Sequence, residues 1–274
     1  MKRRSLKQWQ LEPSHSPVTA RRRWEDSRDL LTTDDYDLLV EEDGVGVVDD
    51  ETKFLFLRNV FPFAEGFYRD LSQLEFSESK RGSGQDSLFG YFYDARNGPP
   101  RLTVASLRNP AFYEGPLSAL LAWTSLTVRR YTRRYWNGQC EAARRNRHCV
   151  VPQFPRAPRF NSTRGEIDYQ LWQHSYRDYL AEFPLAPVFS TVTINRSVPF
   201  LPHLDARNKG GLACLMAFGG FSGGDLCLPR LRVAFRLRPG DLLVADNNNE
   251  YHGNVGAIWG DRISVVSYLR QLGQ

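Results

Sequence analysis

The sequence predicts an α+β fold in which N-terminal helices buttress a β-rich C-terminal half. Two observations lead to this prediction. Before residue 184, the clearest apolar spacings have the period of amphipathic helices. From Val188 onward, short apolar runs of period two alternate with turn residues. Strands of that length and spacing are typical of an antiparallel sandwich or barrel.

The composition is that of a globular protein with ample chain to bury a core. The 274 residues are 41% hydrophobic and 24% charged. No apolar run approaches the roughly 18 residues that a membrane-spanning helix needs. The basic N-terminus is not followed by the apolar segment of a secretory signal. We therefore expect a soluble, intracellular protein without a membrane partner, and we expect a monomer.

The charge and the cysteines leave alternatives open. The net charge is +5 with a pI of about 9.1, and arginine forks suit phosphates, so a polyanion partner is one interpretation and a basic solvated surface is the other. None of the four cysteines lies in a Cys-x-x-Cys pair, which favours free thiols over a zinc knuckle. A metal site of Cys140, His148 and Cys149 matches no zinc template.

The N-terminal quarter is predicted to contain an arm, a hairpin and a helix. Residues 1–43 alternate basic and acidic runs, which is typical of a partly disordered arm or of a peripheral helix. Residues 44–274 are expected to form a single domain. It begins with a hairpin of Val45–Val48 and Phe54–Leu57, followed by a short helix after Pro62.

Two longer helices are predicted next. The clearer one has Pro116 near its start and Gly138 past its end. Arginines in its last turns would complement the helix dipole or bind phosphate; they are Arg129, Arg130, Arg133 and Arg134. A second amphipathic helix is predicted over residues 165–183.

The C-terminal half reads as a series of short strands. The glycine pairs Gly219–Gly220 and Gly223–Gly224 fit tight turns that need positive φ. The predicted strands lie within residues 188–195, 201–205, 211–221, 223–229, 232–237, 240–246 and 262–270.

One constellation in this half has the pattern of a metal site. His203 and Asp205 occupy alternate positions at a strand end, so both side chains point to one face. His252 follows 252 − 203 = 49 residues later and can supply a third ligand from a distant strand. Two histidines and one carboxylate on one side of an ion form the facial triad of non-haem Fe(II) oxygenases. The sequence therefore predicts Fe(II) bound by these three residues.

An iron centre that activates O₂ needs electrons, which a chelating 2-oxoacid can supply. Its far carboxylate requires a buried cation, and a bidentate arginine is best suited to it. Arg262 lies 262 − 252 = 10 residues after His252, and Ser264 points the same way from the same strand. We expect these two residues to bind 2-oxoglutarate, with Arg196 as the second choice for the arginine.

The tract from Thr191 to Leu269 resembles the TET/JBP family of Fe(II)/2-oxoglutarate-dependent nucleic-acid dioxygenases, in particular compact members of protists, fungi and phages. Four segments carry the resemblance: "HLDARN", "FSGGDLCLPRLRVAFRLRPGDLLVAD", "HGN" and "RISVVSYLR". The first 185 residues match only loosely. The resemblance implies a double-stranded β-helix (jelly-roll or cupin-like) with its core over about residues 186–271, and stepwise oxidation of a base methyl group.

The resemblance also implies a base-binding set. Asn208, three residues after Asp205, matches the residue that reaches the Watson–Crick edge of a flipped cytosine. Tyr268 matches an aromatic that stacks on the base, and Arg270 lies where animal members have a base-contacting histidine. Taken alone, Asn208 can equally be a turn residue, and Tyr268 a core aromatic.

The chain lacks the long cysteine-rich segment of the animal enzymes. We therefore expect the DNA backbone to be held by arginine-bearing loops before residue 185. The candidate contacts are Lys80, Arg81, Arg144, Arg145 and Arg147.

The predicted function is hydroxylation of the methyl group of 5-methylcytosine in DNA to 5-hydroxymethylcytosine, after base flipping. The same chemistry on thymine, on methylated RNA or on a protein side chain is an alternative, because an amide at position 208 can pair with either pyrimidine after flipping. An alternative of another class is a non-catalytic reader of modified DNA, which would need no iron ligands.

Overall fold

The computed structural model describes residues 4–78, 84–92, 101–145, 169–170, 173, 188–205 and 212–269. In these ranges, helices cover one face of a ten-stranded sheet and a four-stranded sheet covers the other face. The predicted α+β class is confirmed.

The α-helices whose bounds are described precede residue 146. None of them is both long enough and apolar enough to cross a membrane. They are α1 (Pro17–Trp24), α2 (Ala64–Ser72), α3 (Val104–Arg108), α4 (Pro110–Phe112), α5 (Ser118–Tyr131) and α6 (Arg133–Arg145).

The described strands extend over nearly the whole chain. They are β1 (Lys7–Gln10), β2 (Leu38–Val40), β3 (Gly44–Val48), β4 (Glu51–Leu57), β5 (Ser77–Glu78), β6 (Gln85–Phe92), β7 (Arg101–Leu102), β8 (Thr191–Arg196), β9 (Ala213–Phe218), β10 (Phe221–Leu228), β11 (Val233–Phe235), β12 (Leu242–Ala245), β13 (Gly253–Gly260) and β14 (Ile263–Tyr268).

The two sheets face each other. The large sheet has the order β1-β3-β4-β12-β9-β14-β8-β6-β5, with β7 paired to β6, and the small sheet has the order β13-β10-β11-β2. All neighbours are antiparallel except β1 with β3 and β2 with β11. The described strands form two open sheets and do not close into the barrel that the sequence suggested.

Strand alternation divides the core into two layers. On β9, Cys214, Met216 and Phe218 pack against the helical layer, whereas Leu215 and Ala217 face the small sheet. Both sets are buried because successive side chains of a strand point to opposite faces, and both faces of this sheet are covered.

The N-terminal segment is part of the fold. β1 pairs in parallel with β3 at the edge of the large sheet, and β2 pairs in parallel with β11 at the edge of the small sheet. Between these strands, Trp24 of α1 is buried against Tyr251. Residues 4–43 thus include a helix, as one of the two interpretations expected, and they also pair at two sheet edges, which satisfies backbone hydrogen bonds that a separate arm would leave to water.

The long helix predicted between Pro116 and Gly138 is two helices. Thr132 ends α5 with φ −134° and ψ 60°, and α6 starts at the next residue, so Gly138 lies inside a helix. Arg129 and Arg130 are exposed in the last turn of α5, as expected for cations at a helix C-terminus.

Other predictions have mixed outcomes. The hairpin β3–β4 and helix α2 are confirmed, whereas β13 was missed because three glycines interrupt its apolar pattern. Of the helix predicted over residues 165–183, the structure describes Tyr169, Gln170 and Gln173, which are helical. Cys214 and Cys227 are buried free thiols and Cys140 is buried, whereas His148 and Cys149 lie outside the described residues.

Candidate active site

A cavity of about 310 Å³ opens between the two sheets. The large sheet contributes side chains from β8, β9 and β14, and the small sheet contributes side chains from β10 and β13. On β14, Ile263 and Val265 face the helices while Ser264, Val266 and Tyr268 line the cavity. The period-two pattern of this strand thus separates core residues from candidate functional residues.

The three predicted metal ligands converge at this cavity. His203 and His252 form an isolated antiparallel bridge with reciprocal backbone hydrogen bonds of 3.0 Å. Asp205 is tethered by its backbone N–H, which donates to the carbonyl of Asn247 at 2.9 Å. Its carboxylate lies 3.8 Å from His203 Nε2 and 3.6 Å from His252 Nε2. One donor atom from each residue lies within 4.8 Å of the other two.

Backbone carbonyls fix the orientation of both imidazole rings. His203 Nδ1 lies 2.8 Å from the carbonyl oxygen of Leu201, and His252 Nδ1 lies 3.2 Å from that of Glu250. A carbonyl can only accept, so each Nδ1 carries a proton, and each Nε2 is the nitrogen that faces Asp205. Burial, followed by the proximity of His203, lowers the pKa of His252 to about 4. His252 is therefore neutral near pH 7, the form that binds a metal.

This donor set fits a divalent metal ion. Two donors that each lie about 2.1 Å from one ion are at most about 4.2 Å apart, and both carboxylate–imidazole distances fall within that limit. Two imidazoles and one carboxylate are the donors of the non-haem Fe(II) facial triad.

The loop that carries His252 is held by a buried ion pair. Glu250 is 1% exposed and accepts from Nε of Arg230 at 2.7 Å, with a second contact from Nη2. The backbone N–H of Glu250 donates to the carbonyl of Asp246 at 2.9 Å. These contacts fix the carbonyl of Glu250 that orients the His252 ring.

Arg262 is the buried cation of the cavity wall. It is 4% exposed, and its Nη1 donates to the carbonyl of Gly224 at 2.7 Å. Its Nε is buried without a hydrogen-bond partner, and the charge of Asp225 favours the charged guanidinium without forming a salt bridge among the described residues. Burial lowers its pKa to about 10, which leaves it charged near pH 7. A buried cation with an unused donor suits a carboxylate ligand.

Ser264 and Arg196, the two other predicted co-substrate residues, lie on opposite faces of the large sheet. Ser264 lines the cavity on the same strand as Tyr268. Arg196 does not line it, because its neighbour Asn195 occupies the inward position of β8. Arg196 instead makes a bidentate pair with Asp261, at 2.9 Å and 3.0 Å. The second choice for the co-substrate arginine is therefore wrong.

The structure describes only some of the residues that were predicted to contact the base or the DNA backbone. Tyr268 lines the cavity, and its hydroxyl lies 3.1 Å from Oγ1 of Thr193. The main chain of α6 reaches Arg145, and the side chains at its end are not described. Outside the described residues lie Lys80, Arg81, Arg147, Asn208 and Arg270, and the side chains of Arg144 and Arg145 join them.

Three asparagines that line the cavity were not predicted from the sequence. Asn195 lies two residues after Thr193 on β8, and Asn254 lies two residues after His252. Because alternate residues of a strand point to the same face, the sequence could have placed both asparagines in the cavity. Asn247 lies in a loop, where no periodicity identifies it. Its Oδ1 is buried without a hydrogen-bond partner.

Comparisons with known proteins support the resemblance. No protein-family model matches the chain. The chain is 41% identical over 90 residues to the "Bifunctional helicase and thymine dioxygenase JBP2" of Leishmania infantum, and 43% identical to that of Trypanosoma cruzi. Each match spans 30% of this chain and 8% of the relative. The relatives are thus much longer than the matched region.

A solved structure extends the likeness to the whole fold. The structure of NgTET1 in complex with 5mC DNA matches with a TM-score of 0.60 and 15% identity, over 90% of this chain and 83% of that chain. The double-stranded β-helix class and the similarity to TET/JBP proteins are therefore confirmed.

Proposed function

We propose that this chain is an Fe(II)- and 2-oxoglutarate-dependent dioxygenase that hydroxylates the methyl group of 5-methylcytosine in DNA. The observation that carries the proposal is one cavity with two features, a donor set of two imidazoles and one carboxylate and a buried arginine with an unused Nε donor. The local identity to JBP2 and the fold shared with NgTET1 support a base in DNA as the substrate.

In this proposal each cavity residue has a defined role. His203, Asp205 and His252 hold Fe(II), which with 2-oxoglutarate and O₂ supplies the oxidising power to hydroxylate a C–H bond. Arg262 binds the distal carboxylate of 2-oxoglutarate through a charge-assisted pair, and Ser264 adds a hydroxyl donor. The apolar side chains of the wall, Leu215, Leu226 and Val266, keep water from the reacting groups.

The substrate base must leave the duplex to reach the cavity. Tyr268 offers its ring as a stacking partner at the cavity wall. Asn208, three residues after the ligand Asp205, pairs with the polar edge of the base, and Arg270, two residues after Tyr268 in the sequence, adds a further contact. Lys80, Arg81 and the arginines near residue 145 hold the phosphate backbone.

Thymine in DNA is the second candidate substrate. The 41% identity to proteins named thymine dioxygenases favours it, whereas the structural match in complex with 5mC DNA favours 5-methylcytosine. The two bases present reversed donor and acceptor groups along the pairing edge, and an amide can satisfy either one by rotating.

The test is nucleoside mass spectrometry after incubation with Fe(II), 2-oxoglutarate and duplexes of matched sequence, with or without 5-methylcytosine. We expect 5-hydroxymethylcytosine and stoichiometric succinate. Thymine oxidation in both duplexes would support the second candidate. Succinate without an oxidised DNA base would indicate RNA or protein as the substrate, and DNA binding without succinate would indicate a reader.

A further inference from the structure

We infer that Asn254 is a positioning residue that links the metal-binding segment to the co-substrate arginine. The inference rests on the proposed function, because it assigns Asn254 a role in binding 2-oxoglutarate. Asn254 is 2% exposed and follows the ligand His252 by two residues on β13. Its carboxamide bonds both to the segment that precedes His203 and to Gly224 of β10.

The acceptor side of the amide holds the segment that carries two metal ligands. Oδ1 of Asn254 accepts from the backbone N–H of Phe200 at 2.8 Å, and the backbone N–H of Asn254 donates to the carbonyl of Phe200 at 2.9 Å. Phe200 precedes His203 by three residues, and the two rings are 5.7 Å apart. The side chain thus fixes the approach of this segment to β13.

The donor side of the amide holds the carbonyl that Arg262 uses. Nδ2 of Asn254 donates to the carbonyl of Gly224 at 2.8 Å, and Nη1 of Arg262 donates to the same oxygen at 2.7 Å, so these two nitrogens lie no more than 5.5 Å apart. Gly224 sits at a register shift of β10 with φ +62°. Asn254 therefore helps to orient the carbonyl of Gly224. Among the described residues, this carbonyl is the one hydrogen-bond acceptor of the Arg262 side chain.

Replacement of Asn254 by Asp removes the donor contact to Gly224 and keeps the acceptor contact to Phe200, so the two contacts can be tested separately. The carboxylate keeps an acceptor for Phe200 but places a negative charge where Nδ2 stood. That charge lies within reach of the Arg262 guanidinium and repels the carbonyl of Gly224. It competes with the distal carboxylate of 2-oxoglutarate for Arg262, whereas the metal ligands keep their support.

Calorimetric titrations of the full chain with Mn(II), and then of the Mn(II)-loaded protein with 2-oxoglutarate, test this inference without turnover. For Asn254→Asp, we expect the 2-oxoglutarate Kd to rise about tenfold or more, with the Mn(II) Kd within about threefold of the parent. Asn248→Asp is the matched control, since it adds the same charge in the neighbouring loop, and it should match the parent in both titrations.

A double-mutant cycle distinguishes positioning from general damage. In an Arg262→Ala background, Asn254→Asp should lower 2-oxoglutarate affinity by no more than about twofold further. Equal losses in Mn(II) and 2-oxoglutarate affinity, or full additivity with Arg262→Ala, would overturn the inference. If Asn254→Asp does not fold, Asn254→Ser removes both amide contacts, and an unchanged 2-oxoglutarate affinity in that variant would overturn it as well.

The parent titration separates this inference from the function on which it rests. A parent protein that binds neither Mn(II) nor 2-oxoglutarate contradicts the proposed dioxygenase itself. A parent that binds both, with an Asn254→Asp variant that behaves identically, contradicts only the role of Asn254.

Discussion

The two histidines of the site have different surroundings. His252 is buried, whereas the side chain of His203 keeps 31% of its exposure. Burial penalises the charged imidazolium, and His203 adds repulsion, so the pKa of His252 falls to about 4 from an ordinary value of 6.5. The fold therefore holds this ligand ready for a metal ion at neutral pH.

This pKa predicts how the metal-free protein responds to acid. Between pH 6.5 and about 4, the unfolded chain protonates His252 while the folded chain does not. The unfolded state then binds more protons, so the free energy of unfolding decreases as the pH falls, by up to about 1.4 kcal/mol per unit. Urea unfolding of chelator-treated protein across this range measures the slope. A His252→Asn variant should show a shallower slope, and identical slopes would contradict the assignment.

Asp205 provides the charge of the metal site. Asp205→Ala removes the anionic ligand but keeps the backbone N–H that donates to Asn247. We expect a folded protein with a thermal midpoint near that of the parent and with iron content reduced by about tenfold or more. Elemental analysis after anaerobic Fe(II) loading and desalting measures this. Parental iron content in the variant would show that the three residues are not the ligand set.

At the scale of residues, the sequence predicted which side chains meet at the cavity wherever alternate positions of a strand share one face. The sequence placed His203 and Asp205 on alternate positions of a strand end, where the structure has an isolated bridge at His203. It placed Arg262 and Ser264 on one face of the last strand, and all four residues line the cavity as expected. Arg196 was misplaced because its inward neighbour was not recognised. The buried state of Asn247 was not predictable, since it depends on how one loop packs against another.

Among the structural elements, β10 depends on its paired glycines. The register between β10 and β13 shifts between Gly223 and Asp225, and both glycines have positive φ, 73° and 62°. A Cβ on Gly224 would lie 2.4 Å from Cγ1 of Ile258 and 2.9 Å from Nη1 of Arg262. The bulge thus brings a backbone carbonyl to the arginine at a point where a side chain has no room.

Gly224→Ala should therefore disturb both stability and the site. We expect a loss of about 1–3 kcal/mol in the free energy of unfolding from the strained φ and the close contacts. Gly220→Ala in the same hairpin is the control, because a Cβ there meets no atom within 4 Å, and it should stay within about 0.5 kcal/mol of the parent. Equal stability of the two variants in urea would contradict the role of the bulge.

The elements with strong local patterns were predictable. The hairpin β3–β4 has its turn at Asp49 and Asp50, both with positive φ, and the strands after Val188 alternate in period two. The break between α5 and α6 was not predictable, because Thr132 carries no Gly or Pro signal and the apolar spacing continues across it. The parallel pairings of β1 and β2 join segments too distant in sequence for local patterns to reveal.

For the molecule as a whole, the net charge of +5 bears on the proposed binding of DNA. Contacts to phosphates release counterions, so the logarithm of DNA affinity should fall steeply and linearly with the logarithm of salt concentration. Replacing Arg144, Arg145 and Arg147 together by Gln should flatten this slope by about two to three units. Fluorescence anisotropy with a labelled duplex measures it, and the exposed Arg21, Arg22 and Arg28 changed together serve as the control. A parent slope near zero would favour a protein or small-molecule substrate.

The strand order has a consequence for biosynthesis. β14 is the most C-terminal strand described, yet it lies between β9 and β8 in the middle of the large sheet. Ribosomes release the N-terminus first, so β8 with β6 and β9 with β12 remain two separate pieces until residue 268 has emerged. Each piece meanwhile presents an unpaired strand edge, which is a site for aggregation. Because Arg262 and Ser264 belong to the joining segment, the nascent chain acquires its complete cavity only in the step that closes the sheet.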